Sequence, residues 1–178
     1  MKFTKRIFLI LIACAITTNI CAIQFRHLSI KDGLSQLSVL SIYQDKLGRM
    51  WFGTEEGINV FDGNNLTAIK TLRNIPPQNL EVRWICGDEK GNIYFQLGTS
   101  IVCIDFATQS NTVLVKKGVT TLCHHSGKIY YASRGSVYIY NIAKQSTHCM
   151  GQLTKDNIKV LHIDSRGTLW FGTHNGLF

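Results

Sequence analysis

The sequence predicts an all-β fold made of repeated four-stranded antiparallel sheets, and three observations carry that prediction. A turn-and-strand phrase recurs along the 178 residues, its glycines Gly48, Gly91, Gly127 and Gly167 standing 43, 36 and 40 positions apart. Within each repeat, short β-branched and aromatic runs are separated by glycine-bearing turns. The composition, 45% hydrophobic and 17% charged, is that of a chain that packs a core rather than one that stays disordered. A period near 40 residues with several short strands per unit is the signature of β-propeller blades or a similar array.

The first unit shows how the pattern builds a sheet. Val39–Tyr43 is a β-branched and apolar run of strand length. Asp45 to Gly48 makes a tight turn, the Asp side chain capping backbone N–H groups and the glycine supplying a positive φ. Met50–Phe52 is the next strand, Gly53 to Gly57 turns the chain again, and Ile58–Phe61 forms a third strand. Leu66–Lys70 reads as a more polar outer strand. Four antiparallel strands in about 40 residues make one blade, and the innermost strands are expected to be the most apolar.

The later units repeat this order with losses. The second carries Asp88, Gly91 and Tyr94-Phe95, but Gln96-Leu97 stands where Gly53-Thr54 stands in the first. The third keeps Gly127 and Tyr130-Tyr131, with Ala132-Ser133 in the glycine-threonine place. The fourth is close to the first: Asp164, Gly167, Trp170-Phe171-Gly172-Thr173 and Gly176-Leu177. Trp51, Tyr94, Tyr130 and Trp170 are expected to fill equivalent spaces between neighbouring blades, a packing role rather than a ligand platform. The units fall at about 38–79, 80–117, 118–155 and 156–178, the last reaching only its third strand. The array is therefore an incomplete ring of about three and a half blades, expected to be the N-terminal piece of a longer protein or the product of a truncated open reading frame. Residues 23–37 form a lead-in strand, Gln24–Leu28, able to pair into the last blade of a complete ring.

Residues 1–22 read as a secretory signal. Lys2, Lys5 and Arg6 precede an apolar run from Ile7 to Ile16, and small residues end in Cys21-Ala22. The run is shorter than the ~20 residues that span a bilayer. Cleavage after Ala22 is the reading; the alternative is a lipobox, Leu11 to Cys14, that makes Cys14 a lipidated first residue. Export leaves Cys86, Cys103, Cys123 and Cys149, whose spacing matches no CxxC signature. Three lie in apolar runs, where a free cysteine behaves as a small hydrophobe, so buried, unpaired thiols are expected over disulfides.

Charge and side-chain chemistry exclude several classes. The formal net charge is +8, three of the 19 basic residues lie in the export segment, and Lys116-Lys117 is the one adjacent pair in the remainder. Scattered charge reports solubility rather than a nucleic-acid stripe. His124-His125 would point to opposite faces of a strand, which suits no shared metal. His162 and His174 have no sequence-near nucleophile and carboxylate, and Asp88 to Asn92 lacks the alternating oxygens of a calcium loop. No catalytic residue, metal site or cofactor is assigned.

The opening phrase carries a family resemblance. Phe25-Arg-His-Leu-Ser29, Asp32-Gly-Leu-Ser35, Val39, then Asp45, Gly48, Trp51-Phe-Gly-Thr54, Gly57-Ile58 and Phe61-Asp-Gly63 resemble the start of the periplasmic sensor in hybrid two-component regulators of Bacteroidetes. Such sensors are built from two-component regulator propeller repeats. The resemblance runs from about Phe25 to Phe178 and is specific in the first and fourth units. It implies an exported module on the periplasmic side of the inner membrane, sensing a carbohydrate. It also implies further blades, a membrane-anchored histidine kinase, a receiver and a DNA-binding domain outside this segment. A homodimer of the full-length form and no direct nucleic-acid contact by this segment belong to the same expectation. The alternative is a secreted propeller, either a lyase-like enzyme, whose repeats also read Asp-x-x-Gly-x-x-Trp-Phe, or a glycan binder.

Overall fold

The computed structural model describes residues 25–69, 80–105, 107–108 and 110–178. The export segment, with its cleavage and lipidation alternatives, lies outside the described residues. Among those described, the chain is β-structure, with one 3-10 turn at Ile30–Asp32.

Four antiparallel sheets follow one another, each with its strands in sequence order. The first holds β1 (Val39–Gln44), β2 (Met50–Thr54), β3 (Gly57–Phe61) and β4 (Leu66–Ala68). The second holds β5 (Ile85–Gly87), β6 (Ile93–Leu97), β7 (Ser100–Asp105) and β8 (Ser110–Val115). The third holds β9 (Thr121–His125), β10 (Lys128–Ser133), β11 (Ser136–Asn141) and β12 (Ser146–Gln152). The fourth holds β13 (Val160–Ile163), β14 (Leu169–Thr173) and β15 (Gly176–Leu177). The first strands β1, β5, β9 and β13 are successive neighbours in space, which makes them the inner strands of propeller blades.

Blades cohere through their faces. Trp51, Ile58 and Val60 of the first blade pack on Val82, Ile93, Phe95, Val102 and Ile104 of the second. Tyr94 and Ile101 of the second meet Val119, Leu122, Ile129 and Tyr131. Ala132 and Val137 of the third meet Ile158 and Leu161. The period-2 alternation of each strand thus feeds two successive cores, one per face.

Burial is greatest in the middle strands. All five residues of β6 and four of five in β3 are buried, whereas β1 has none. A middle strand is flanked by strands on both edges and by blades on its faces, while an inner strand borders the open axis. The outer strand β12 is exposed along most of its length.

Two further details differ from the sequence reading. The fourth strand stops at Ala68, although the Ile69 N–H still donates to the Ile58 carbonyl at 2.9 Å; Lys70 lies outside the described residues. Among the described residues of the lead-in, Phe25–Ser29 forms no strand. Instead Arg26 lies over the Phe61 ring, 5.1 Å from its centroid, and the Ser29–Asp32 capping box turns the chain. The Ser35 N–H then donates to Asn59 Oδ1 at 2.9 Å, fastening the lead-in to the first blade.

Candidate functional site

The repeated residues assemble at the turns that join the first and second strands of a blade. Asp45 Oδ1 accepts the N–H groups of Leu47 and Arg49, both at 2.9 Å. Its Oδ2 accepts Arg49 Nε at 2.6 Å and Trp51 Nε1 at 2.9 Å. Asp88 does the same with the Lys90 and Asn92 N–H groups, Asn92 Nδ2 and the Tyr94 hydroxyl. Asp164 takes the Arg166 and Thr168 N–H groups and Trp170 Nε1, the last at 3.2 Å. One carboxylate therefore shapes the turn with one oxygen and clamps the aromatic six residues on with the other. The capping half of this role is readable from sequence; the clamp is missed, although Asp stands six residues before the ring in these three units.

The third unit departs from the others. Ser126 (φ +48°) and Gly127 (φ +71°) make a two-residue turn with both residues left-handed, and His125 pairs directly with Lys128. Tyr130 keeps the register of the other rings: it faces Cys123 as Trp51 faces Tyr43, Tyr94 faces Cys86 and Trp170 faces His162. It has no Asp clamp. Trp51 and Tyr94 are fully buried, Tyr130 is half-buried, and Trp170 is 38% exposed on the outer face of the fourth sheet.

The clamps set the electrostatics. Burial pushes the Asp45 carboxyl up, but hydrogen bonds from Trp51 and Arg49 outweigh it and hold the group below its ordinary value of 3.8. Asp88 is lowered on the same balance, with Asn92 and Tyr94 as donors. Asp164 is lowered chiefly by the Thr168 N–H and by Trp170. These are structural carboxylates with their lone pairs occupied, and the loop around Asp88 is a turn.

The glycines serve two geometries. Gly48, Gly91, Gly127 and Gly167 are left-handed in the turns, as are Gly57 and Gly176 in the next hairpins. Gly53 has another reason: a Cβ there would lie 2.3 Å from Ser41 Oγ and 2.4 Å from the Val82 carbonyl of the chain entering the second blade. At Gly172 the corresponding neighbour is a Val160 methyl at 2.7 Å.

Cysteine and histidine offer no reactive cluster. Cys86, Cys103, Cys123 and Cys149 are free thiols. Burial pushes Cys86 well up, Cys103 to about 11 and Cys123 to about 12, so these three are protonated at neutral pH. His124 stacks on Tyr94 with centroids 6.3 Å apart, and burial lowers its pKa. Among the described residues no group of three His, Cys, Asp or Glu is placed to hold a metal, and no helix is long and apolar enough to cross a membrane.

A cavity of about 600 Å³ opens at the other end of the blades. It lies where the chain runs into the inner strands and where β6 turns into β7. Trp84, Arg83 and Glu81 come from the approach to β5, Gln96 and Thr99 from the β6–β7 hairpin, Thr120 and Lys159 from the approaches to β9 and β13. The shape is held by backbone: Gln96 N–H donates to the Trp84 carbonyl at 2.9 Å, Gly98 N–H to Glu81 at 2.8 Å, and Val119 N–H to Thr99 at 3.0 Å. Of the repeat positions only the one held by Gln96, where the first unit has Gly53, contributes to its wall; the other lining residues lie outside the repeated phrase. Its volume falls within the ~300–1,000 Å³ of small-ligand sites.

Two stretches, residues 33–56 and 152–175, match the family described as Two component regulator propeller. They contain the Asp45 and Asp164 clamps, the two units in which the sequence phrase is most complete. Over 58 residues the chain is 43% identical to Histidine kinase P4 of Formosa agariphila, covering 33% of this chain and 4% of that protein. The fold is similar to the extracellular domain of the putative hybrid two component system BT4673 from B. thetaiotaomicron, with TM-score 0.71 and 14% identity over 85% of this chain and 21% of that one. A second such domain, of BT3049 from the same organism, gives TM-score 0.52 at 21% identity, covering 85% and 30%. A streptogramin B lyase shares the fold as well, with TM-score 0.64 at 15% identity over 83% of this chain and 56% of that one. The chain thus spans a small part of the histidine kinase and less than a third of the two sensor domains it resembles.

Proposed function

We propose that this chain is part of the ligand-sensing propeller of an exported two-component signalling protein, and that the ligand is an oligosaccharide. The observation that carries the reading is the pair of regulator-propeller repeats at 33–56 and 152–175, set in a stack of blades that leaves a polar, aromatic-lined cavity at one end. A propeller suits sensing because its blades are stiff while the connecting segments at its ends can vary without disturbing the cores. On this reading the segment lies on the periplasmic side of the inner membrane. Kinase chemistry and DNA contact belong to other parts of the protein, which acts as a homodimer. The cavity wall offers an indole, an amide, hydroxyls and an ion pair, which are recognition groups.

The second reading, a lyase-like propeller, rests on the shared fold with streptogramin B lyase. It asks for an acid–base or metal cluster on one rim. The deciding experiment expresses the full protein that carries this segment, then measures oligosaccharide binding by calorimetry alongside phosphoryl transfer by the kinase. Sensing predicts that one glycan class binds unchanged and alters phosphorylation. Turnover of the bound compound, with no signalling output, would overturn it.

A further inference from the structure

The cavity touches the innermost segment of every blade. It does so through Leu40 in β1 and through Arg83, Thr120 and Lys159 in the chain just before β5, β9 and β13. Strand register makes these four positions equivalent. Tyr43, Cys86, Cys123 and His162 are the residues paired with the ring of the second strand, and each of the four lies three residues before one of them. A space shared by the same position of successive blades lies on the axis of the array.

The neighbouring position behaves in the opposite way. One residue earlier stand Val39, Val82, Val119 and Ile158, β-branched in every blade. Val82, Val119 and Ile158 are buried in the three interblade cores, Val119 also reaching the cavity, while Val39 is 38% exposed. Packing thus holds one position to a single side-chain shape, and the next carries an alkyl group, a guanidinium, a hydroxyl and an ammonium in turn. Arg83 and Lys159 are exposed, and Leu40 and Thr120 are half-buried, so all four are open to a ligand. Their backbone is fixed: the Thr120 N–H donates to the Ala132 carbonyl at 3.0 Å and the Lys159 N–H to that of Gly172 at 2.8 Å, each two residues past the ring. The Thr120 hydroxyl donates to the Ile158 carbonyl at 2.8 Å, which leaves its oxygen to accept from a ligand. Varied chemistry on a rigidly held, repeated backbone position serves recognition rather than the core.

We propose that the oligosaccharide is selected by this set, one position per blade: Leu40, Arg83, Thr120 and Lys159. Arg83, ion-paired with Glu81, keeps further N–H groups to donate, Lys159 donates from its ammonium, Thr120 accepts from a sugar hydroxyl, and Leu40 gives an apolar contact. The assignment rests on the reading of the chain as part of a glycan-sensing propeller, and deepens it by naming the residues that decide which glycan binds.

The test uses the full protein that carries this segment and a panel of defined neutral, amino and acidic oligosaccharides, with calorimetry on those that bind. Arg83→Gln and Lys159→Gln, both at exposed side chains, should each weaken the best binder about tenfold, the size of one hydrogen bond to a charged group, and reorder the panel. Thr120→Val should weaken it about fivefold, while Thr120→Ser, which keeps the hydroxyl, should retain affinity. Lys90→Gln, at the opposite end of the second blade, should leave affinity and order unchanged. Thermal melts confirm that each variant is folded. Affinities and order untouched by the Arg83, Thr120 and Lys159 variants, or moved as far by Lys90→Gln, overturn this site while glycan sensing stands. Failure of the unaltered protein to bind any oligosaccharide of the panel overturns the sensing reading and this site with it.

Discussion

Asp45 shows how much one side chain can organise. Its four accepted hydrogen bonds fix a turn, a buried guanidinium and a core indole together, and hydrogen bonds to a charged group contribute about 1.5–3 kcal/mol each. Asp45→Asn keeps the shape but turns one acceptor into a donor facing Arg49 and Trp51. It is expected to destabilise the first blade by about 2–4 kcal/mol, read as a lowered unfolding midpoint in urea. Asp164→Asn, at a more exposed copy with a longer bond to Trp170, should cost clearly less. The pH dependence follows from the direction of the shifts. Asp45, Asp88 and Asp164 are lowered in the folded chain, so their contribution is complete above the ordinary value of 3.8 and is lost as pH falls through their lower folded values. A melting temperature that holds between pH 7 and 5 and drops below about pH 4 is expected, with a shallower drop in Asp45→Asn.

At the scale of the element, the blade depends on how closely two pieces of backbone approach. Gly53 lies one residue before the end of β2, where the chain entering the second blade presents the Val82 carbonyl, and the Ser41 hydroxyl donates to that same carbonyl at 3.2 Å. A methyl group here meets backbone that cannot rotate away. Gly53→Ala should therefore cost about 1–3 kcal/mol, and Gly172→Ala less, because a valine side chain can turn aside. Chemical denaturation of the two variants side by side checks the order; equal costs would mean that the first interblade joint is more yielding than its distances indicate. The third blade makes the complementary point: its two-residue Ser126-Gly127 turn reaches the same register without an Asp, so the clamp stabilises a blade but is not needed to define one.

For the whole molecule, stability is shared between neighbours, since each core is built from two successive blades. The two terminal faces stand outside this scheme. The fourth sheet exposes Val160, Trp170, Leu177 and Phe178, and the first exposes Val39 and Ile42. Apolar faces with open strand edges favour association. The 178-residue chain on its own is expected to self-associate with rising concentration in light-scattering chromatography, and Trp170→Glu should reduce that association. A monodisperse monomer throughout the micromolar range would show that these faces are inert.

The sequence by itself determined the blade. Turn residues, β-branched runs and a ring three positions after each turn glycine are local, and local chemistry repeats wherever the phrase repeats; hence β1–β3 were legible from Val39 onward and β14–β15 from Asp164 onward. Tertiary structure decided what depends on residues far apart in the chain. It made the middle strands, not the inner ones, the driest, because burial depends on which neighbours cover a face. It laid Phe25–Ser29 across the first blade, where Arg26 and Ser35 find Phe61 and Asn59. It also lined the cavity with Trp84 and Gln96, Thr120 and Lys159, which come together only because the second, third and fourth blades bring their connecting segments to one end of the fold.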